Sequence, residues 1–216
     1  MVDFNEISES VIEGDTDKAV ELTKACLQAS IQAKDILDKG LIPGIRKVGE
    51  LFSTGKYFLP ELLISGEAMQ AAVSQLRPIL SQSDAPPAGK FVIGTVQGDV
   101  HDIGKNIVVM MLEGNGWEVT DLGVDVSPEQ FCTAVKDEDF DIVGLSALLT
   151  LTMSNQAETI RALQTAGLRH KVKVMIGGAP VTQDYADEIG ADAYASNAVE
   201  AMKKAAILIG RDWEEN

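Results

Sequence analysis

The stretch Lys90-Phe91-Val92-Ile93-Gly94-Thr95-Val96-Gln97-Gly98-Asp99-Val100-His101-Asp102-Ile103-Gly104-Lys105-Asn106 decides the fold. A short apolar run, Phe91–Val96, ends in a loop with glycine and two aspartates, and a helical pattern follows at Ile103–Glu113. The same alternation recurs downstream. Apolar runs at Val119–Leu122, Ile142–Leu145 and Val172–Ile176, with a weaker one at Ala191–Ala195, read as strands. Helices fit near Pro128–Lys136, Asn155–Ala166, Gln183–Ile189 and Ala198–Ile209. Such alternation predicts a doubly wound, five-stranded parallel sheet covered on both faces, with any ligand at the carboxyl ends of the strands.

Upstream the period changes. Ala19, Leu22, Cys26 and Ala29 recur at helical steps, as do Leu41, Ile45, Val48 and Phe52, and then Leu62, Gly66, Met69, Val73, Leu76 and Leu80. Asp15 is placed to cap the second helix, while Gly40, Pro43 and Ser53-Thr54-Gly55 mark breaks, so a bundle of about four helices is expected. Ser81–Gly89, reading SQSDAPPAG, shifts to small, polar and proline-rich composition. The chain thus divides into a helical domain over 1–82, a linker at 83–89 and a sheet domain over 90–216.

Composition excludes several classes of function. With 216 residues and 45% hydrophobic content the chain can build packed cores. A net charge of -15 disfavours nucleic acid and anionic membrane surfaces, both of which call for clustered Lys and Arg. No stretch approaches the roughly 18 apolar residues that span a bilayer, and MVDFNEISES has no basic start followed by an apolar run. Cys26 and Cys132 fall in separate helices and read as buried thiols rather than a disulfide or metal site. A reducing cytoplasm is the expected location.

The loop after the first strand holds the candidate chemistry. A carboxylate two residues before a histidine suits metal ligation: one imidazole nitrogen faces the metal, and the other donates to Asp99, fixing the tautomer. The same residues also fit a plainer role, with Asp99 or Asp102 capping the next helix and His101 a loop residue. Other strand ends add to the picture. Ser146-Ala147-Leu148-Leu149-Thr150-Leu151-Thr152 puts hydroxyls repeatedly at the rim, and Gly177-Gly178-Ala179-Pro180 offers backbone without side chains, where a flat ligand could approach.

These residues resemble a known family. Gly98-Asp99-Val100-His101-Asp102-Ile103-Gly104, Ser146-x-Leu148 and Gly177-Gly178 match, in order, the D-x-H-x-x-G, S-x-L and G-G signature of cobalamin-binding domains of the methionine synthase and methyltransferase corrinoid-protein type. Val48-Gly49-Glu50-Leu51-Phe52 and Gly55-Lys56-Tyr57-Phe58-Leu59-Pro60 resemble the helical cap module preceding that domain. The resemblance implies a flavodoxin- or Rossmann-like corrinoid domain in which His101 displaces the cofactor's own benzimidazole as lower cobalt ligand. Asp99 would hold the other ring nitrogen, and Thr152 falls where methionine synthase has a serine hydrogen-bonded to that aspartate. Gly98, Val100, Asp102, Ile103 and Gly104 belong to the cofactor loop. Ser146, Leu148, Thr150, Gly177 and Gly178 would line the channel for the displaced tail. Phe52 and Leu59 match cap residues over the methyl-bearing face, although apolar residues at helical spacing equally suit a core.

The resemblance further implies a methyl carrier, not catalytic alone, whose cobalt cycles between Co(I) and methyl-Co(III). One substrate-specific methyltransferase would load it, a second would pass the methyl group to a thiol such as coenzyme M or to tetrahydrofolate, and a reductive activator would restore it. Length and the Gly-Gly-Ala-Pro-Val segment lean toward a methylamine donor, with methanol and methoxyaromatic systems as alternatives. Two rivals belong to other classes: a B12-dependent sensor, which needs an output module, and a receiver-like signalling domain holding magnesium at acidic strand ends. The only other histidine, His170, lies in an Arg169-His170-Lys171 run expected to be solvated.

Overall fold

A computed structural model describes residues 3–80 and 87–211. It divides into two compact units. One runs to Pro87 and takes in Glu113–Gly116; the other comprises Ala88–Leu112 and the chain from Trp117 onward. Positions 83–86 of the expected linker, and 81–82 before it, lie outside the described residues.

The first unit is helical: α1 (Phe4–Glu13), α2 (Thr16–Gln28), α3 (Ala33–Ile36), a π turn (Leu37–Leu41), α4 (Ile42–Ser53) and α5 (Leu59–Leu80). Asp15 caps α2 as expected, accepting from the Lys18 N–H at 3.0 Å. The expected break at Gly40 and Pro43 does not occur. Proline at the second position of α4 lacks an N–H and crowds the carbonyl four residues back, and the wider π turn directly before it absorbs both defects. The Gly40 carbonyl accepts from Ser8 Oγ of α1 at 2.6 Å. The helix therefore runs on from α3 through α4, and the unit has four rods. Their buried stripes meet in Ile7 and Val11 of α1, Ala19 and Cys26 of α2, Ile45 and Val48 of α4, and Met69 and Leu76 of α5. Ala29, expected in the stripe of α2, is exposed at its C-cap, and Thr23 is buried in the stripe instead.

In the second unit β1 (Lys90–Thr95), α6 (Ile103–Gly114), β2 (Glu118–Asp121), α7 (Pro128–Asp137), β3 (Ile142–Ser146), α8 (Ser154–Thr165), β4 (Lys173–Gly177), α9 (Gln183–Ile189), β5 (Ala193–Ala195) and α10 (Ala198–Leu208) alternate. All strand pairs are parallel, in the order β2-β1-β3-β4-β5. Phe91, Ile93, Ile142 and Met175 pack with Leu112, Trp117 and Ala205 on one face, while Val92, Val143, Leu145 and Val174 pack with Phe131, Ile160 and Leu163 on the other. Both free thiols are buried, and burial pushes each of them up, so neither is a ready thiolate. Among the described residues no helix is long and apolar enough to cross a membrane.

The register positions the site. Thr95, Ser146, Gly177 and Ala195 pair across β1, β3, β4 and β5, so these strands end in one row. Strand order reverses between β1 and β3, which puts the crevice of a doubly wound sheet at their carboxyl ends. Phe131 anchors the layer beneath: it is fully buried, and its ring occupies the space a Cβ on Gly94 would need. Phe131→Ala should cost about 3–5 kcal/mol in urea unfolding, whereas Ile207→Ala on the exposed side of α10 should shift stability by less than about 1 kcal/mol.

Candidate cofactor site

Two loops leave the edge row side by side, the first after β1 and the second after β3, and a single carboxylate joins them. Asp99 is fully buried. Its Oδ1 accepts from the His101 N–H at 3.1 Å and lies 2.7 Å from His101 Nδ1. Its Oδ2 accepts from the Leu148 N–H at 2.8 Å, the Leu149 N–H at 3.3 Å and Thr152 Oγ1 at 2.6 Å. Thr152 Oγ1 is also 2.9 Å from the Leu149 carbonyl, but its one proton is best spent on the charged acceptor. Burial alone would push the Asp99 carboxyl up. Hydrogen bonds from Thr152, from the His101 backbone and ring, and from Leu148 more than offset that and hold it well below the usual carboxylate range.

With an ionised partner at Nδ1, the neutral imidazole carries its proton there and presents Nε2 as a bare lone pair. The His101 side chain is 47% exposed, and Nε2 has no hydrogen bond to any described residue. The His101 carbonyl accepts from buried Thr95 Oγ1 at 3.1 Å, so the ring's backbone is tied to the end of β1. None of the bonds to the Asp99 carboxylate comes from α6, so the capping role does not describe it; Asp102 instead accepts from the Asn106 side chain at 3.2 Å.

The other expected residues fall into three groups. Val100 and Ile103 are each 67% exposed, and Leu148 is exposed as well, so apolar side chains stand on the same two loops that flank the histidine. A Cβ on Gly104 would meet nothing within 4 Å, which leaves the first turn of α6 open to a bulky ligand. Ser146, half-buried, and Gly177 pair in the edge row, while Thr150 is exposed on the loop above. Gly98 and Gly178 both have positive φ, at 79° and 132°. Gly178 has an internal reason to be glycine: a Cβ there would overlap the Ala147 carbonyl oxygen. Phe52, half-buried, and Leu59, 47% exposed, belong to the helical unit.

Sequence reasoning missed three contributions. The Leu148 and Leu149 N–H groups are backbone donors without a residue signature. Gln156, fully buried, donates through Nε2 to the carbonyls of Leu145 and Gly177 and so ties the ends of β3 and β4. Lys105, buried beside the loop, pairs with Asp121 and donates to Asn106 Oδ1 at 2.8 Å. His170 is exposed as expected, but Arg169 beside it pairs with Asp192 at 2.7 Å rather than standing in solvent.

Among the described residues no three His, Cys, Asp or Glu side chains gather as a metal-ligating group. His101 offers one ligand, and a metal carried in a macrocycle needs no more than that from the protein. The exposed apolar loops and the open face at Gly104 fit a group of that shape.

Residues 89–203 match the family described as "B12 binding domain", and residues 3–77 match a second family of the same description. The chain belongs to the B12-binding corrinoid proteins of methyltransferase systems. This corrinoid protein is 44% identical over 206 residues to dimethylamine corrinoid protein 3 of Methanosarcina acetivorans, covering 95% of this chain and 96% of that one. Among solved structures it resembles a cobalamin-binding protein from Desulfitobacterium hafniense, with TM-score 0.80 and 36% identity over 97% of this chain and all of that chain. It also resembles the methanol:cobalamin methyltransferase complex from Methanosarcina barkeri, with TM-score 0.83 and 33% identity over 96% of this chain and 80% of that chain. The cofactor is a corrinoid, and the receiver-like alternative is set aside by the family.

The carboxylate makes this site sensitive to one atom. Asp99→Asn replaces an acceptor-only oxygen with an NH2 that must face existing donors, so the cofactor-free protein should lose about 2–3 kcal/mol at pH 7. Because the folded carboxyl is depressed, the advantage of Asp over Asn is fully present above the unfolded value of about 4 and fades as pH falls further. Urea unfolding of both proteins at pH 7 and near pH 3 checks this. A gap that is the same at both pH values would contradict the depressed carboxyl.

Proposed function

We propose that this corrinoid protein is a methyl carrier in which His101 Nε2 is the lower cobalt ligand, with the cofactor's own base displaced. The observation that carries the reading is the 2.7 Å contact between His101 Nδ1 and a buried carboxylate, on a half-exposed ring. A bound corrinoid supplies a cobalt centre that takes a methyl group from one partner and yields it to another. The residues of this chain supply everything around that centre. Asp99 orients the imidazole, and Thr152 and the 148–149 peptide N–H groups keep Asp99 ionised. Val100, Ile103 and Gly104 receive the ring, with Gly98 and Asp102 shaping that loop. Ser146, Leu148, Thr150, Gly177 and Gly178 line the path of the displaced tail.

Its partners are a substrate-specific methyltransferase, a second methyltransferase delivering to a thiol or to a folate, and a reductive activator, all in the cytoplasm. The carrier is not catalytic alone. A methylamine donor is favoured over methanol because the dimethylamine relative is 44% identical and the methanol system's structure 33%.

Histidine ligation is tested by electron paramagnetic resonance of the Co(II) protein reconstituted with cobalamin, with and without nitrogen-15 histidine. The expected spectrum shows hyperfine splitting that changes with the label and is lost in His101→Ala, while the variant still retains corrinoid through its ring and tail contacts. A wild-type spectrum insensitive to the label would exclude His101 as ligand.

A further inference from the structure

Among the described non-glycine residues only Ser30 and Asp125 have positive φ. Asp125, at φ 53°, lies on the loop between β2 and α7, outside every stretch of sequence singled out above. Left-handed backbone at a residue with a side chain is a small strain that persists only where contacts impose it. Here the contacts all lead to the histidine loop. The Asp125 carboxylate accepts from the Gly98 N–H at 2.7 Å, and its own N–H donates to the Asp99 carbonyl at 2.9 Å. One residue thus grips the backbone on both sides of the Asp99 Cα.

The rest of the grip confirms what Asp125 holds. The peptide between Gln97 and Gly98 is clamped at both polar ends, its carbonyl accepting from Asn155 Nδ2 at 2.6 Å and its N–H donating to Asp125. Gly98 has φ 79°, so this peptide sits in a turn that the Asp99 N–H closes onto the Val96 carbonyl at 3.1 Å. The next residue, Val126, continues the parallel pairing as a bridge to Val96, its N–H bonded to the Thr95 carbonyl at 3.0 Å. The β2–α7 loop is therefore registered against β1 and delivers Asp125 at the turn. Fixing the Asp99 side chain from the β3 loop leaves the main chain that enters Asp99 free to rotate about Gly98, and Asp125 removes that freedom by holding the Gly98 N–H and the Asp99 carbonyl.

We propose that Asp125 is a positioning residue for the cobalt-binding histidine: it holds the Gly98–Asp99 main chain so that His101 meets the metal without reorganisation. It makes no hydrogen bond to the His101 ring and acts through the Gly98–Asp99 main chain. The inference rests on the reading of His101 as ligand, so its test separates the two.

Cobalamin affinity is measured by spectroscopic titration for wild type, Asp125→Asn, Asp125→Gly and Asp125→Ala, each with His101 and with His101→Ala. Asn tolerates left-handed backbone and keeps the acceptor, Gly keeps the backbone freedom without the acceptor, and Ala loses both. With His101 present, Asp125→Gly and Asp125→Ala should weaken Kd by about ten-fold, the worth of one charge-assisted hydrogen bond, and Asp125→Asn should stay within about two-fold of wild type. In the His101→Ala background all four should agree within about two-fold, because the effect is transmitted through the missing ligand. Should Ala fail to fold, Gly carries the test alone. Equal ten-fold losses in both backgrounds would make Asp125 a loop brace and overturn the proposal, as would no loss in either. A label-insensitive Co(II) spectrum in wild type would bring down the ligation reading itself, and this inference with it.

Discussion

A carboxylate buried without water is tolerable only when its oxygens are saturated with donors, and Asp99 meets that demand with the His101 ring and peptide, two further peptide N–H groups and a threonine hydroxyl. The donors come from two loops that are distant in sequence, so the condition cannot be met by local structure. It requires that β1 and β3 be neighbours and end together. The parallel register that pairs Thr95 with Ser146 does this, and the hydrophobic layers on both faces of the sheet fix that register. The charge is thus an outcome of the fold, and the histidine's orientation an outcome of the charge.

The consequences spread outward from that carboxylate. Because its donors include main-chain N–H groups at 148 and 149, the β3 loop must turn back over the sheet just after Ala147. That brings the Ala147 carbonyl against Gly178, where only glycine fits. Because Thr152 reaches the carboxylate at the start of the approach to α8, that helix begins close by, and Asn155 and Gln156 from its first turn bind the neighbouring loop and strand ends. The polar interior of the site is therefore continuous with the ends of the strands, and its exposed surface is left to Val100, Ile103, Leu148 and Leu149, which suit a large apolar ligand.

Much of this was legible in the sequence for reasons of period and composition. Strand and helix alternation is a direct statement of burial, so the sheet unit's elements were placed to within a residue or two. Asp99 and His101 could be singled out because their chemistry lies in side chains, and Thr152 through the family resemblance. What stayed hidden is of three physical kinds. Backbone donors such as Leu148 N–H have no letter in the sequence. Gly40 and Pro43 signal a helix end in isolation, but a π turn and a hydroxyl from Ser8 satisfy the local defect through tertiary contact. Asp125 in a loop looks like a solvated charge, and its left-handed backbone is created by the partners it meets.

If the protein fixes the imidazole tautomer before any metal arrives, histidine nitrogen-15 chemical shifts of the cofactor-free protein at mildly alkaline pH show it. The chain has two histidines, so His101→Ala assigns the signals. The expected result is His101 protonated at Nδ1 with Nε2 a bare, pyridine-like nitrogen, and exposed His170 in the ordinary solvent mixture dominated by Nε2–H. If His101 instead showed Nε2–H, or the same averaged shifts as His170, Asp99 would not be holding the ring, and the preformed ligand would be refuted.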